Sequence, residues 1–337
     1  MEKSGSMFTA GLLTGLLGAC LVGALVVKPK TISGSSDRIV LKLGHGLAEQ
    51  HPVHQGMLHL KKRLEELTDG RATIDVYPGG MLGNETESLE QVQKGEMGMT
   101  KVSTAALEAF LPEMKVFGVP FAFRDETHFW NVLNGDIGER MLELGVPNRF
   151  LGLCYYDSGD RNFYSTKKAI RSVADVAGMK IRVMNSRTAM DMISMMKGSA
   201  TPISWGELYT ALDQGTVDAA ENNWPSFVTS RHFEVCKYFT LSGHQRIPDM
   251  VIISTRVWDN LSPNIQKALR QAAKESEVFQ RQLWREETER CITFAKEKGI
   301  EVIEPDIASF REACASFPLQ KEYQDLKGLY DEIQEVK

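Results

Sequence analysis

The sequence has no Cys-x-x-Cys pair, no Gly-x-x-x-x-Gly-Lys-[Ser/Thr] loop, no Gly-x-Ser-x-Gly elbow and no His-Glu-x-x-His. Zinc ribbons, thioredoxin-type redox centres, phosphate-cradling loops, α/β-hydrolases and zinc peptidases of that class are therefore unsupported. Gly44-His45-Gly46 opens like a dinucleotide turn, but Glu49 stands where the third glycine is needed. Positive charge is also short. Lys and Arg total 39 against 44 Asp and Glu, a net charge of −5, so there is no electrostatic case for nucleic acid or an anionic membrane surface. Only five cysteines occur, at positions 20, 154, 236, 291 and 314. The last four allow three pairings and nothing selects one. Buried free thiols are the expectation. Four of the seven histidines cluster at 45, 51, 54 and 59. His54 and His59 are five apart, off a common helix face, and no neighbouring carboxylate completes a ligand set. No metal or cofactor is expected. No internal repeat or low-complexity segment stands out.

What is present is an ordinary globular composition, 42% apolar and 25% charged, on 337 residues, enough for two domains. The exception is Met7–Val27, a nearly unbroken apolar run flanked by Lys3, Lys28 and Lys30. It is longer than a secretory h-region requires and close to the ~20 residues that span a bilayer. It fits a cleaved signal peptide, an uncleaved signal-anchor, or a lipoprotein signal at Leu17-Gly18-Ala19-Cys20. Each of the three exports the remainder, so a periplasmic location is expected, with a membrane tether as one alternative. Residues 1–37 are assigned to this segment and a Ser-rich linker.

Beyond the linker, strand and helix signals alternate. Arg38–Leu43 alternates as a strand, His54–Thr68 carries Met57, Leu60, Leu64 and Leu67 at helical spacing, and Arg71–Tyr77 is a second strand. This β-α-β order implies parallel strands with a helical crossover. Glu85–Lys94 is expected as a helix, Met97–Val102 as a strand, Glu126–Leu144 as one helix, and Phe150–Tyr156 as a buried strand. A polar break at 156–160 marks a crossing between two lobes. Past it come a strand at Asn162–Ser165, a turn at 173–175, a strand at Lys180–Val183 and a Met-rich helix at Ser186–Met196. Ser204-Trp205-Gly206-Glu207 has the S-x-x-E pattern of a capping box. Strands are expected at Val217–Glu221 and Met250–Ser254. From Ser262-Pro263 no Gly or Pro recurs until Gly299, which predicts a helix of roughly 35 residues, about 50 Å long, running across both lobes. A strand-helix-helix tail follows from Glu301. The expected division is 38–158 with 248–287 as lobe I, and 159–247 with 288–337 as lobe II.

The polar residues suit binding more than bond-breaking. Arg182 sits on the strand Lys180–Val183, where its planar fork can clamp a carboxylate through two hydrogen bonds. Arg161 follows the lobe crossing. Asn185, Asn222 and Asn223 offer amides that donate and accept, Trp205 and Trp224 offer flat apolar faces, and Asn84, Glu85 and Asp249 can take hydroxyl protons. Together they describe a pocket for a small carboxylate bearing hydroxyls. No base, nucleophile and metal combine into a catalytic set, so no enzyme activity is expected.

In this order and spacing, Tyr77-Pro78-Gly79-Gly80-Met81-Leu82-Gly83, Gly118-Val119-Pro120-Phe121, Gly178-Met179-Lys180-Ile181-Arg182-Val183, Pro202-Ile203-Ser204-Trp205-Gly206-Glu207-Leu208-Tyr209 and Val217-Asp218-Ala219-Ala220-Glu221-Asn222 carry a resemblance. The chain resembles the extracytoplasmic solute-binding subunit of tripartite ATP-independent periplasmic (TRAP) transporters, the DctP-type family, from about Ile39 to the C-terminus. The resemblance implies an α/β fold of two lobes with a hinge, spanned by a long helix. It implies that Arg182 holds the ligand carboxylate and that Arg161, Asn185, Trp205 and Asn222 share the site. Ala219 departs from the family pattern, which has glycine there, while the Glu-Asn pair is kept. Gly44-His45-Gly46, Met99-Thr100-Lys101-Val102-Ser103, Cys154-Tyr155-Tyr156-Asp157 and Asn222-Asn223 resemble the branch that binds hexuronates such as glucuronate and galacturonate. That branch adds Glu85, His45 and Lys101 as sugar contacts, and Asn223 stands beside them as a ligand-binding candidate by its amide. The implied partners are a hexuronate and the membrane permease subunits, without nucleic acid, and a monomer is expected. A C4-dicarboxylate in the same transport role, and an exported enzyme on sugar acids, are the alternatives.

Overall fold

A computed structural model describes residues 38–337. The apolar N-terminal run, with its signal and anchor alternatives, lies outside the described residues. Among those described, no helix is long and apolar enough to cross a membrane.

The first part of the chain runs β1 (Ile39–Gly44), α1 (Pro52–Leu67), β2 (Ala72–Tyr77), α2 (Glu85–Lys94), β3 (Met99–Ser103), α3 (Thr104–Leu107), α4 (Glu126–Leu133), α5 (Asp136–Glu143) and β4 (Phe150–Tyr156). The middle runs β5 (Arg161–Ser165), β6 (Lys180–Val183), α6 (Arg187–Met195), β7 (Ser199–Pro202), α7 (Leu208–Asp213), β8 (Ala219–Asn222), α8 (Trp224–Thr229) and β9 (Tyr238–Gln245). The last part is β10 (Asp249–Ser254), α9 (Thr255–Trp258), α10 (Pro263–Glu297), β11 (Glu301–Ile303), α11 (Ile307–Cys314) and α12 (Lys327–Glu335). The fold is α/β, with strands in two sheets ordered β2-β1-β3-β10-β4 and β11-β9-β5-β8-β6-β7.

Local chemistry accounts for the first sheet. Leu41 and Leu43 of β1 point into the core while Val40 and Lys42 face out. The buried stripe Val53, Met57, Leu60 and Leu64 lays α1 against that face. Each of these side chains contributes about 1.5–3 kcal/mol by leaving water. β1 pairs in parallel with both β2 and β3, as a βαβ crossover requires. β10 then runs antiparallel between β3 and β4.

The chain crosses between the sheets at 157–160, at 246–248, and along α10. The first two crossings are tied to each other. The Arg246 guanidinium reaches both Asp157 carboxylate oxygens at 3.1 Å, and Ser158 Oγ donates to the Ile247 carbonyl. α10 has the 35 residues expected. Ile265, Leu269 and Ala272 pack into the core of the first sheet, and Cys291 and Ala295 into that of the second. Between them three buried polar residues hold the end of β4. Glu277 accepts from Tyr155 N–H, Ser276 accepts from the Tyr156 hydroxyl, and Gln280 both accepts from Asp157 N–H and donates to its carbonyl. Gly56 is where α1 meets α10; a Cβ there would come within 2.9 Å of the Gln280 side chain.

Several local expectations are corrected. The helix expected over Glu126–Leu144 is two, because Gly135 takes an extended conformation and caps α5. Ser204 makes no capping hydrogen bond. Residues 205–207 form a 3₁₀ turn, and the Ser204 side chain is exposed, so water can serve the free N–H groups. The strand β9 was not anticipated because its buried positions include Thr240, Ser242, His244 and Gln245, which mask the apolar alternation. On β6 the basic residues part company: Lys180 is exposed while Arg182 is buried. Cys154, Cys236, Cys291 and Cys314 are buried free thiols. The tail reaches the first-sheet helices. Gln334 and Ile333 carbonyls accept from Arg124 Nη1 and pair with His128 Nε2, at 3.0 and 2.8 Å.

Candidate functional site

A cavity of about 800 Å³ opens between the two sheets. The ends of β3, β5, β6, β8 and β10 reach it, with the first turns of α2 and α8 and the 205–207 turn. Arg161, Arg182, Asn185, Trp205, Asn222, Asn223, Glu85 and Lys101 all line it. His45 does not.

On the second-sheet wall Arg161 and Arg182 flank β8. Arg161 is committed. Its Nε donates to Glu221 Oε2, its Nη2 reaches Glu221 Oε1 at 2.9 Å and the Glu221 carbonyl at 3.0 Å, and its Nη1 lies 3.4 Å from Asn222 Oδ1. Burial works against both charges, but the pair holds: Glu221 is pulled down to about 2 and Arg161 raised above its ordinary value by Glu221. Arg182 is not committed. Its Nε donates to the Ile203 carbonyl at 2.9 Å, and its guanidinium carbon lies 5.6 Å from the centre of the Trp205 ring. Its Nη1 is buried and has no hydrogen-bond partner among the described residues. Burial accordingly lowers the Arg182 pKa, Tyr164 and Glu221 offsetting only part of the effect. A buried guanidinium N–H without an acceptor is costly, and an anion in the cavity would supply one.

The amides divide in the same way. Asn223 Oδ1 caps α8 by accepting from Ser226 N–H, and its Nδ2 donates to Asn222 Oδ1. Asn222 Oδ1 also takes the Asn223 N–H, which leaves the Asn222 Nδ2 donors to the cavity. Asn185 is exposed at the rim.

On the first-sheet wall Lys101 of β3 is buried between two carboxylates. Its Nζ lies 3.0 Å from Glu85 Oε1 and 3.2 Å from Asp249 Oδ1. Burial disfavours the ammonium, yet Asp249 and Glu85 raise its pKa above the ordinary value. Glu85 is placed by the first turn of α2, where Asn84 and Glu87 form a reciprocal capping box. Asp249 opens β10, in register with Ser103 of β3.

His45 is a correction. Its Nδ1 accepts from Leu47 N–H and its Nε2 pairs with His54 Nδ1 at 2.9 Å, so both ring nitrogens are used inside the first lobe. Burial, then Lys101, lowers its pKa to about 3. The lining histidine is His51. Its Nδ1 accepts from Val53 N–H, which caps α1 and leaves the proton on Nε2, 3.1 Å from Ser226 Oγ of α8. That contact joins elements of the two sheets across the cavity. His51 followed by Pro52 is an N-cap signal with proline at the first helical position, and it is the sequence feature that would have singled out this residue.

No group of His, Cys, Asp or Glu among the described residues is arranged to hold a metal ion.

Residues 43–324 match the family described as bacterial extracellular solute-binding protein, family 7 (DctP). The chain belongs to this family. A Salmonella typhimurium protein, YiiZ, uncharacterised, is 35% identical over 311 residues, 90% of this chain and 93% of that one. A TRAP periplasmic solute-binding protein from Bradyrhizobium sp. BTAi1, in complex with α/β-D-galacturonate, is 36% identical with a TM-score of 0.85, covering 87% of this chain and 99% of its own. Another from Pseudomonas putida F1, with bound D-glucuronate, is 32% identical with a TM-score of 0.86, covering 89% and 98%. The family is one of solute-binding proteins, and its two-lobed architecture with the long helix is the one described above.

Proposed function

We propose that this protein captures a sugar acid, a hexuronate such as D-glucuronate or D-galacturonate, in the periplasm and delivers it to the membrane permease subunits of a TRAP transporter, without chemical turnover. The observation that carries the reading is Arg182: a buried guanidinium on a strand, on a residue that lines the cavity, whose Nη1 has no acceptor among the described residues. The ligand carboxylate accepts from Arg182, the Trp205 ring packs beside it, and Asn222 and Asn185 meet its hydroxyls. Arg161 shapes this wall while paired to Glu221. The relatives with bound galacturonate and glucuronate support the ligand class.

The division into lobe I (38–158 with 248–287) and lobe II (159–247 with 288–337) gives the motion. A ligand touching both walls favours the closed state by contacts made only there. His51 to Ser226 is a protein contact across the same gap, present without ligand. The protein acts as a monomer, exported by or tethered through the N-terminal apolar run.

The test is calorimetric titration of the purified protein with D-glucuronate and D-galacturonate, followed by mass analysis of the recovered ligand. Saturable 1:1 binding with ligand returned unaltered is expected. Absence of binding to every hexuronate, or conversion of the ligand without added cofactor, would overturn the reading.

A further inference from the structure

The two walls of the cavity are chemically opposite. Arg182 spends its Nε on the Ile203 carbonyl, and its Nη1 lacks an acceptor among the described residues. The wall of Glu85, Lys101 and Asp249 offers the reverse. Glu85 Oε1 is spent twice, on Lys101 Nζ and on Ser103 N–H, both at 3.0 Å. Its Oε2 makes no hydrogen bond among the described residues. Asp249 Oδ1 faces Lys101 at 3.2 Å, and its Oδ2 likewise makes none. Each carboxylate thus keeps one acceptor oxygen on a residue that lines the cavity. One ammonium between two carboxylates leaves this wall with a net negative charge. Asp249 and Lys101 are almost fully buried, with side chains 8% and 5% exposed, so solvent screens that charge poorly. The remaining lining acids, Glu87 and Glu207, are exposed at the rim and add the same sign.

We propose that Glu85 and Asp249, clasped to Lys101, form a specificity wall that accepts hydroxyl protons at the end of the ligand away from its carboxylate and turns away a second carboxylate. The inference rests on the uronate reading above and sharpens it: the site takes the monoacid and rejects the aldaric diacid of the same carbon chain. A hydroxyl brings a proton to each open oxygen. A second carboxylate brings none, and it places like charge against two acids in a buried site. The same wall argues against any dicarboxylate whose second carboxylate reaches it.

The test compares D-galacturonate with galactarate by calorimetry, on the wild type and on Glu85→Gln and Asp249→Asn separately. In Glu85→Gln the amide oxygen can still accept from Ser103 and Lys101, so this variant retains the local fold should the more buried Asp249→Asn fail to. The wild type is expected to bind galacturonate at least ~100-fold more tightly than galactarate, the scale of one buried like-charge contact. Removing one negative charge should move the two ligands in opposite directions: galacturonate weakens several-fold as an acceptor is lost, and galactarate tightens. Equal wild-type affinity for the two ligands, or no gain of galactarate affinity in the folded variants, overturns the inference while galacturonate binding keeps the uronate reading. Absence of galacturonate binding to the wild type overturns that reading itself, and the inference with it.

Discussion

Arg161 and Arg182 lie on strands that flank the same neighbour, β8, and both are buried against one cavity. Arg161 has a carboxylate of its own and Arg182 has none among the described residues. A buried charge with a fixed partner belongs to the structure, since removing either member strands the other. A buried charge with no carboxylate partner among the described residues, on a residue that lines a cavity, is the one a bound anion would complete. Residue type and strand position do not separate the two cases; the partner does.

The sharpest way to break this contrast is to replace each arginine by methionine. Arg161→Met leaves Glu221 buried without its counter-charge and is expected to cost about 3–5 kcal/mol of stability by chemical denaturation. The Glu221 pKa, held down to about 2 against an ordinary 4.5, sets the pH window. A depressed folded pKa means that the pair stabilises fully above pH 4.5 and loses its contribution as pH falls through about 2. Arg161→Met should therefore flatten the acid limb of the stability curve, and an unchanged limb would contradict the pairing.

Arg182→Met should do the opposite. Stability of the ligand-free protein stays level or rises, because a buried charge that Tyr164 and Glu221 only partly offset is removed. Hexuronate affinity falls by about 2–5 kcal/mol, roughly 30- to several thousand-fold. Retained affinity would sink the carboxylate assignment.

A third prediction concerns a buried acid outside the site. Glu108, at the end of α3, accepts from Ser186 Oγ and Thr188 N–H at the start of α6, joining elements of the two sheets. Burial raises its pKa to about 7 against the bonds from Thr188 and Ser186. A raised carboxyl pKa means that the native state holds the proton more tightly, so stability falls as pH rises from 4.5 through about 7 and stays lower above it. Glu108→Gln should raise stability at pH 8 by up to about 3 kcal/mol and change it little at pH 4. Equal effects at both pH values would show that Glu108 does not titrate in this way.

The smallest effect expected is at His51. His51→Ala removes one neutral hydrogen bond across the cavity and one helix cap, so affinity should fall by about 0.5–1.5 kcal/mol with ligand preference unchanged. A changed preference would place His51 on the ligand itself.

Much of the frame was legible in the sequence. The strand Lys180–Val183, the buried strand Phe150–Tyr156 and the helix from Pro263 to Glu297 depend on local signals: alternation, a continuous apolar run, and 35 residues free of internal Gly and Pro. The strand β9 was hidden because buried hydroxyl, imidazole and amide groups take the place of apolar residues. Each finds a bond only in the fold, such as Ser242 with His244 Nδ1 at 2.8 Å and Thr240 with the Ile170 carbonyl at 2.9 Å. The candidate site was legible as an inventory and illegible as an arrangement. Nothing local says that Glu221 turns to Arg161 and leaves Arg182 free. Nothing local says that His45 is consumed by Leu47 and His54 while His51, six residues on, meets the cavity. Those facts are set by which strands neighbour β8 and by how α1 is capped.

The most direct measurement is a crystal structure with D-glucuronate bound. The proposed arrangement places the ligand carboxylate within hydrogen-bond distance of Arg182 Nη1, with ligand hydroxyls donating to the open oxygens of Glu85 and Asp249. A carboxylate seated on Lys101, with hydroxyls toward Arg182, would contradict it.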